Sequence, residues 1–572
     1  MGDNRNGKVI GLQSHIYRNG YSPARRANEQ TDMAQTAPML PEKGAEYAQT
    51  PTAEPDDTRQ SRASLEGRLT CALALTAAVS AIGGSFPHGW NTGVLNAPQG
   101  LIKDFLNTSY TARFGQPISL PMLNFIWPLS VAIYLAGGCA GALSLGWMAD
   151  KFGRKRAIML NNAFSIVAAL MFGLCKIANS FEMLIIARFI VGFGCGAGSG
   201  LVPMYLTEIS PVNIRGAMGV IHQFTLTCGI LLSQAFGLRQ VLGSERLWPL
   251  LLAFTGFPCI ISVVVLPFLP ESPRYLYVNK NDLEGARKAL IKFRGTTDVK
   301  ADIEEMQFEA EQQKAEPAWS FKRLFSSKKL RLPLMLVCAL SLGQQLSGIN
   351  VVFYYSVSVF EQSGIPSNMT QYAVLATGII NVIMTAISVP LMEKSGRRPL
   401  LLGGMGLMWL CALVITIALN IQHLVKWVSY LNIVCIIGFV IGFAIGLGSI
   451  PQFIGAELFK QGPRPPAMSF AGLLNWLANF LVAIGFPPME MVLKAYSFIV
   501  FICTLTFFGA IVWWKLPETK NKSYEEIYRH FSKGRKLADP GIELDSIKHR
   551  TKGSSRKGSE KEKAELLNAK EV

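Results

Sequence analysis

Apolar residues occur along this chain in long continuous runs separated by short polar segments, not in the short periodic stretches of a soluble protein. Twelve of the runs can cross the hydrocarbon core of a bilayer as helices, which needs about 20 apolar residues each. The pattern therefore predicts an all-α membrane protein. The predicted spans, numbered 1 to 12, cover residues 69–95, 121–147, 157–175, 181–207, 216–239, 247–268, 332–359, 371–392, 399–420, 427–457, 467–489 and 495–515.

A long polar connection separates the first six spans from the last six. Polar ends without apolar periodicity flank the two groups, and this composition predicts disordered tails. The predicted organisation is an N-terminal tail at 1–66, a six-helix bundle at 67–268, a linker at 269–331, a second six-helix bundle at 332–516 and a C-terminal tail at 517–572.

Within the linker, apolar residues recur at helical spacing among lysines, arginines and glutamates. They are Leu283, Ala286, Leu290 and Ile291. This spacing predicts short amphipathic helices that lie against the membrane surface.

The net charge of +17 comes from basic clusters placed between the spans. A nucleic-acid surface would interleave cations with aromatic residues on one face, which these clusters do not do, so nucleic acid is not a predicted partner. The clusters at 151–156, 274–331 and 394–398 all fall on one side of a twelve-span chain. Cationic loops favour the cytoplasm, so this side and both tails are predicted to be cytoplasmic.

The opposite side carries two glycosylation sequons, at Asn107 and Asn368. Glycosylation requires exposure away from the cytoplasm, so both agree with the orientation that the charges predict. None of the ten cysteines is spaced for a zinc site or a disulfide framework. The sequence predicts no metal and no cofactor, and it shows no nucleophile with a base, so an enzyme is not expected.

Three local patterns occur once in each half, in the same order and at nearly constant separation. Three such pairs indicate a duplication, with two pseudo-symmetric bundles related by an axis along the membrane normal. A substrate is then expected near mid-membrane, where the halves meet. The pairs are Gly153-Arg154-Lys155 with Gly396-Arg397-Arg398, Glu208 and Arg215 with Glu457 and Arg464, and 270–274 with 517–520.

The repeated charges lie at the cytoplasmic ends of the spans. A carboxylate beside the membrane is costly without a partner, so Glu208 and Glu457 are predicted to pair with arginines across the halves and to latch the cytoplasmic side shut. The alternative is that the charged side chains only extend to the membrane surface, and this is the favoured interpretation for Lys155 and Lys394. The predicted gating set is Arg154, Glu208, Arg215, Glu271, Arg274, Glu393, Arg397, Glu457 and Arg464.

Most polar residues inside the spans are amides. An amide both donates and accepts hydrogen bonds, as a sugar hydroxyl does, so the set predicts a site for a neutral polyol. The alternative is that the amides only bridge helices. The set comprises Asn91, Gln223, Gln344, Gln345, Asn350, Asn381, Asn475 and Asn479, with Trp476 beside the last pair.

Other residues near these amides have predicted structural roles. Gly348 is expected to break span 7, as in the discontinuous helices of transporters, and Tyr354 and Tyr355 after it are candidates for an outer gate. Arg188 in span 4 is expected to form a structural ion pair. The glycine-rich run at 192–200 is expected to permit close helix packing.

The sequence resembles the sugar-porter family of the major facilitator superfamily, and within it the animal facilitative glucose transporters. Over about 68–530, the resemblance implies the major facilitator fold, a plasma-membrane location and a glucose-binding set at the seven amides from Gln223 onward. Proton-coupled relatives have an aspartate where this chain has Asn91, so the resemblance implies a uniporter. It rests on the runs 146–155, 270–274, 462–465 and 517–520, and on 89–94, 344–350 and 475–476.

Span 10 departs from the pattern of the glucose-transporting relatives. They typically carry Glu at Ala444, Pro at Leu447 and Ser449, and Trp at Gln452. The departure removes two sugar contacts and predicts a stiffer span. Glucose is the expected substrate, with fructose or another hexose as an alternative, and a non-transporting sugar sensor as a second alternative. The long tails are candidate contacts for cytoplasmic partners.

Overall fold

A computed structural model describes residues 67–315, 319–362, 366–422, 424, 427–460, 462–520, 522 and 524–532. Regular structure in this part of the chain is entirely helical. Eleven helical segments are long and apolar enough to cross a membrane. The last of them, Arg464–Lys515, consists of two long helices, so the described residues supply the twelve crossings that the apolar runs predict.

The spans begin and end close to their predicted limits. We call spans 1–6 the first half and spans 7–12 the second half. Their bounds are Cys71–Gly93, Leu120–Phe152, Arg154–Leu174, Phe181–Ile209, Val212–Phe236, Trp248–Phe268, Arg331–Glu361, Met369–Ser395, Arg397–Ile421, Val428–Glu457, Arg464–Leu493 and Ser497–Lys515. Shorter helices are Gln99–Phe114, Leu283–Arg294, Lys300–Ala315, Phe321–Ser326 and Tyr524–Ser532, with a π-helical turn at Tyr275–Asn279.

Two spans near the centre of the second half are interrupted. Span 7 breaks at Gly348, as predicted, where φ is +90° and the ring of Phe501 would lie 2.6 Å from a Cβ. Span 10 contains a π-helical turn, Ala444–Gly448, which ends at Ser449. Span 10 is therefore irregular without the two prolines, while its stiffness stays a prediction.

Glycines bring the backbones of spans 2 and 4 together. A Cβ at Gly192 would overlap the carbonyl group of Tyr134, and one at Gly196 would overlap that of Gly138. The glycine-rich run therefore serves close helix packing, as the sequence predicts.

The linker helices pack on one face of the first half, which we call the linker face. The Thr70 hydroxyl donates to the Phe293 carbonyl at 2.8 Å, and Arg294 Nη1 donates to the Ile209 carbonyl at 2.9 Å. Of the predicted apolar positions, Ala286 and Leu290 are buried, whereas Leu283 is exposed.

The predicted N-terminal tail, 1–66, lies outside the described residues. In the predicted C-terminal tail, Tyr524–Ser532 forms a helix with Ile527 buried. The prediction of disorder therefore does not hold for that short segment.

The two halves contact each other at the face opposite the linker, which we call the far face. Asn96 donates to the Ser356 hydroxyl and accepts from the Val357 N–H at 3.2 Å. Gln240 Nε2 donates to the Tyr372 hydroxyl at 3.3 Å. Among the described residues no ion pair joins the halves at the linker face. The hydrogen bonds of Asn96 and Gln240 close the far face.

Candidate substrate site and gates

Four of the predicted amides form one hydrogen-bonded chain, which we call the amide chain. Asn350 Nδ2 donates to Gln345 Oε1, and Gln345 Nε2 donates to Asn475 Oδ1 at 2.8 Å. Asn475 Nδ2 then donates to Gln344 Oε1 at 2.6 Å. The break at Gly348 makes this possible, since it turns Asn350 back towards a residue five positions earlier. The chain ties span 7 to span 11, so both the sugar-site prediction and the helix-bridging alternative fit it.

The amide chain ends on the π-helical turn of span 10. Gln344 Nε2 donates to the carbonyls of Leu447 and Gly448, at 2.6 and 3.2 Å. A π-helical turn frees carbonyl groups from the regular ladder, and here a side-chain amide binds them. Ala444 is buried in this turn and Gln452 is exposed after it.

The other residues predicted to contact the substrate are not part of the amide chain. Asn479 and Asn381 are buried, and each has an Oδ1 without a hydrogen-bond partner among the described residues. Gln223 is half-buried, and no described hydrogen bond involves its side chain. Trp476 is buried and reaches across to the first half, where a Cβ at Gly138 would overlap its ring.

The two candidate gate tyrosines are buried beside this site. Span 7 is kinked at Tyr355, where φ is −130°, and the Tyr355 hydroxyl donates to the Ala483 carbonyl at 2.8 Å. The Tyr355 ring stacks on Phe486, with centroids 5.7 Å apart. Both tyrosines lie near the far-face contact at Ser356, the position an outer gate would require.

Hydrogen bonds hold both ends of the Asn91 amide. We call Asn91 the coupling position, because an aspartate is expected there in a proton-coupled carrier. Its Nδ2 donates to the Pro87 carbonyl and the Thr255 hydroxyl, both at 2.8 Å. Its Oδ1 accepts from Arg188 Nη1 at 3.3 Å. Arg188 also packs its guanidinium 4.5 Å from the centroid of the Tyr134 ring. The expected ion pair of Arg188 is therefore wrong: its described partners are neutral.

The predicted latch across the halves is not formed in this conformation, where each glutamate pairs within its own half, and the latch stays a prediction. Arg154 Nη2 lies 2.9 Å from Glu208 Oε1, and Arg397 Nη2 lies 3.0 Å from Glu457 Oε1. All four residues lie at the linker face, so their positions in the sequence fit pairing within a half as well as pairing between the halves. The repeated motifs do match each other, which agrees with the duplication.

The remaining charges of the gating set divide into three kinds. Arg274 pairs with Glu309 of the linker at 2.9 Å and lies 3.7 Å from Glu305. Arg215 lies 4.0 Å from the same Glu305. Arg464 donates to the Phe459 carbonyl at 3.1 Å, and Glu393 is exposed. No ion pair is described for either of those two residues.

Glu271 and its repeat, Glu518, start the helices of spans 3 and 9. Glu271 accepts from the backbone N–H of Lys155 at 2.9 Å, and Glu518 accepts from the N–H groups of Arg397 and Arg398 at 3.0 Å. The first N–H groups of a helix lack partners within it, so these carboxylates cap both helices.

The two capping carboxylates differ in their acidity. Burial raises the pKa of Glu271 above its ordinary value, although backbone N–H donors oppose this. Burial alone would also raise the pKa of Glu518, but four backbone N–H groups outweigh it and hold the pKa below its ordinary value. The second-half cap is therefore the more firmly ionised of the two.

Gly396→Ala is expected to destabilise the second half through this cap. Gly396 has φ of +89°, and a Cβ there would lie 2.8 Å from Glu518 Oε2. A backbone with φ of +89° and ψ of 172° costs alanine about 1–3 kcal/mol by itself. The Tm of the purified protein should fall by at least about 2 °C. Gly403→Ala, in span 9 with open space around it, is the control. Equal Tm values for the two variants would contradict the capping role.

The two candidate glycosylation sites differ in how fully they are described. Asn107 lies in the helix Gln99–Phe114, and its Oδ1 accepts from the Ile118 N–H at 3.0 Å. The side chain of Asn368 lies outside the described residues. Use of either sequon stays a prediction.

His88 belongs to this site although no sequence pattern marks it. Its imidazole stacks on the indole of Trp476, with centroids 4.9 Å apart and an angle of 25° between the planes. The ring is half-buried. The available signal was its place one helical turn before Asn91, on the polar side of span 1. Within the described residues, no group of His, Cys, Asp or Glu is placed to hold a metal ion.

Comparison with known proteins places this arrangement among transporters. A family model described as "Sugar (and other) transporter" matches residues 76–531. The chain is 44% identical to solute carrier family 2, facilitated glucose transporter member 1 of Gallus gallus, over 82% of this chain and 95% of that protein. It is also 44% identical to member 3 of Ovis aries, over 84% and 98%.

Solved structures share the fold. The xylose transporter XylE of E. coli, in a partially occluded inward open conformation, matches with a TM-score of 0.66 at 22% identity. The match covers 79% of this chain and all of that one.

Proposed function

This chain belongs to the sugar transporter family, and from that premise we propose that it carries D-glucose down its concentration gradient by alternating access. It is a multi-pass membrane transporter and not an enzyme. The amide chain carries the proposal, because four uncharged side chains that donate and accept hydrogen bonds suit a neutral polyol. The 44% identity to proteins named facilitated glucose transporters supports glucose as the substrate.

Substrate would displace part of the amide chain when it binds. Gln344 and Asn475 are half-buried, so their amides remain within reach of a ligand between the halves. Each hydrogen bond between two amides would be exchanged for hydrogen bonds to sugar hydroxyls. The remaining proposed contacts are Gln223, Gln345, Asn350, Asn381 and Asn479, with Trp476 offering an apolar face.

We propose uniport because no described group at the coupling position can carry a proton. Asn91 is an amide whose donors and acceptor are all engaged, and its neighbour Arg188 has only neutral partners. A coupled carrier needs a group there that gains and loses charge.

The linker face is proposed to be cytoplasmic in the plasma membrane, which places both termini in the cytoplasm. The cationic segments between spans on this face support the assignment. With the far face joined by the contact between Asn96 and Ser356, the described conformation is then closed to the outside. The tails remain candidate contacts for cytoplasmic partners.

Uptake by the full-length protein in liposomes tests the proposal. We expect saturable uptake of radiolabelled D-glucose that unlabelled D-glucose inhibits and L-glucose does not. A pH-sensitive dye inside the liposomes should report no proton entry during uptake, and proton entry would overturn uniport. Inhibition by fructose in preference to glucose would favour a fructose carrier, for which the absence of Glu at Ala444 and Trp at Gln452 is the favouring observation. Binding without uptake would favour a sensor.

A further inference from the structure

The imidazole of His88 lies where the two halves meet, against an indole whose neighbour in sequence belongs to the amide chain. Trp476, on which it stacks, follows Asn475 of that chain and precedes Asn479 by less than one helical turn. The close approach of Trp476 depends on Gly138, since a Cβ at that position would overlap the indole. His88 therefore faces this part of the second half, together with Tyr134, whose ring centroid lies 6.0 Å from that of Trp476.

Neither ring nitrogen of His88 has a hydrogen-bond partner among the described residues. Nδ1 is buried without one, and the rest of the ring is partly exposed. A neutral imidazole has one donor and one acceptor, and protein interiors rarely leave such groups unpaired. An unpaired polar ring in a substrate path indicates a group whose partner is the substrate.

The backbone of His88 and the face of its ring are both held in place. Its carbonyl accepts from the Thr92 hydroxyl at 2.9 Å and from the Tyr134 hydroxyl at 3.3 Å. Trp476 covers one face of the ring and Nδ1 is buried, so Nε2 is the nitrogen that remains for hydrogen bonding to a ligand. A nitrogen fixed in this way gives a directional contact.

We propose that His88 is a substrate-contacting and specificity-determining residue, whose imidazole exchanges a hydrogen bond with one hydroxyl of the bound hexose. The inference rests on the proposed sugar transport. It adds a polar contact from the first half to a site whose amides are concentrated in the second half. Trp476 sets the orientation of the imidazole, and the amide chain binds other hydroxyls of the same sugar.

A panel of monodeoxy-glucoses, each lacking one hydroxyl, tests the contact. The measured quantity is the ratio of glucose uptake to deoxy-sugar uptake in liposomes, which is independent of how much protein folds. Sites built to bind a hydroxyl reject the analogue that lacks it. We expect the native protein to disfavour one or more of the analogues, and His88→Phe, which retains stacking on Trp476, to reduce the ratio about three- to tenfold for one analogue only.

A second pair of variants separates hydrogen bonding from packing. Glutamine and methionine have similar length, but only glutamine hydrogen-bonds strongly. His88→Gln should keep the native preference for the hydroxyl in question, and His88→Met should lose it.

Unchanged ratios in both His88→Phe and His88→Met would overturn the contact, since His88 would then serve packing alone. Equal loss for every analogue would overturn it as well. If the native protein takes up no hexose, the proposed function fails, which is a separate outcome from a native carrier whose deoxy-sugar profile ignores His88.

Discussion

Replacing Asn475 with leucine is expected to reduce glucose uptake at least about thirtyfold. Asn475 accepts from Gln345 at 2.8 Å and donates to Gln344 at 2.6 Å, so leucine leaves one donor, Gln345 Nε2, and one acceptor, Gln344 Oε1, unpaired. Each unsatisfied group costs about 1–3 kcal/mol. The lower total, about 2 kcal/mol, corresponds to roughly thirtyfold in a rate. The measurement is the initial uptake of radiolabelled D-glucose per mole of reconstituted protein.

Asn420→Leu is the matched control for this prediction. Asn420 Nδ2 donates to the Thr416 carbonyl one turn earlier in span 9, and no described hydrogen bond ties it to another helix. Uptake by this variant should stay within about twofold of the native protein. Near-native uptake by Asn475→Leu would contradict the proposed role of the amide chain.

Gly138→Ala is expected to reduce uptake at least about tenfold by a different route. The added Cβ would overlap the Trp476 ring where the second half meets the first. The overlap disfavours the conformation with the closed far face, and alternating access requires that conformation in every cycle. A shift of about 1.4 kcal/mol between conformations suffices for a tenfold change in their ratio.

Cross-linking at the far face measures the same shift directly. Cysteines replacing Asn96 and Ser356, whose side chains are hydrogen-bonded, should form a disulfide more slowly when Gly138 is alanine. The exposed native cysteines, Cys71 and Cys503, are first replaced by serine. Gly146→Ala, in the same span with open space around it, should leave both the rate and uptake unchanged. Cross-linking at the native rate in Gly138→Ala would contradict the overlap.

The spans were predictable because the bilayer imposes a simple requirement on the sequence. Apolar runs of sufficient length must be helical, since lipid satisfies no backbone hydrogen bond. The break at Gly348 was also predictable, because a glycine between the Gln344-Gln345 pair and Asn350 marks a discontinuity in an apolar helix. The convergence of Gln344, Gln345, Asn350 and Asn475 followed from their polarity.

The partners of the charges were not predictable, because sequence spacing does not distinguish two arginines at the same face. Arg154 and Arg464 both lie near the linker face, and only the tertiary packing brings Arg154 to Glu208. The neutral surroundings of Arg188 were missed for a similar reason. Carbonyl groups and aromatic rings can stabilise a buried cation, and the sequence does not show which of them lie next to it.

The turn in span 10 and the role of His88 were missed because each depends on backbone geometry. Ala444, Gly446 and Gly448 tolerate a π-helical turn, but the same residues also fit an α-helix. His88 stands alone among apolar neighbours, and its place in the site follows from the stacking on Trp476.

The capping carboxylates have a consequence for the synthesis of this protein. The N–H of Lys155 at the start of span 3 receives its partner, Glu271, 116 residues later in the chain, and Arg397 of span 9 receives Glu518 121 residues later. Translation runs from the N-terminus, so each helix start stays incomplete until the last span of its own half has emerged from the ribosome. The first half can therefore mature before the second is translated, and a ribosome stalled ahead of Glu271 leaves an unfinished bundle.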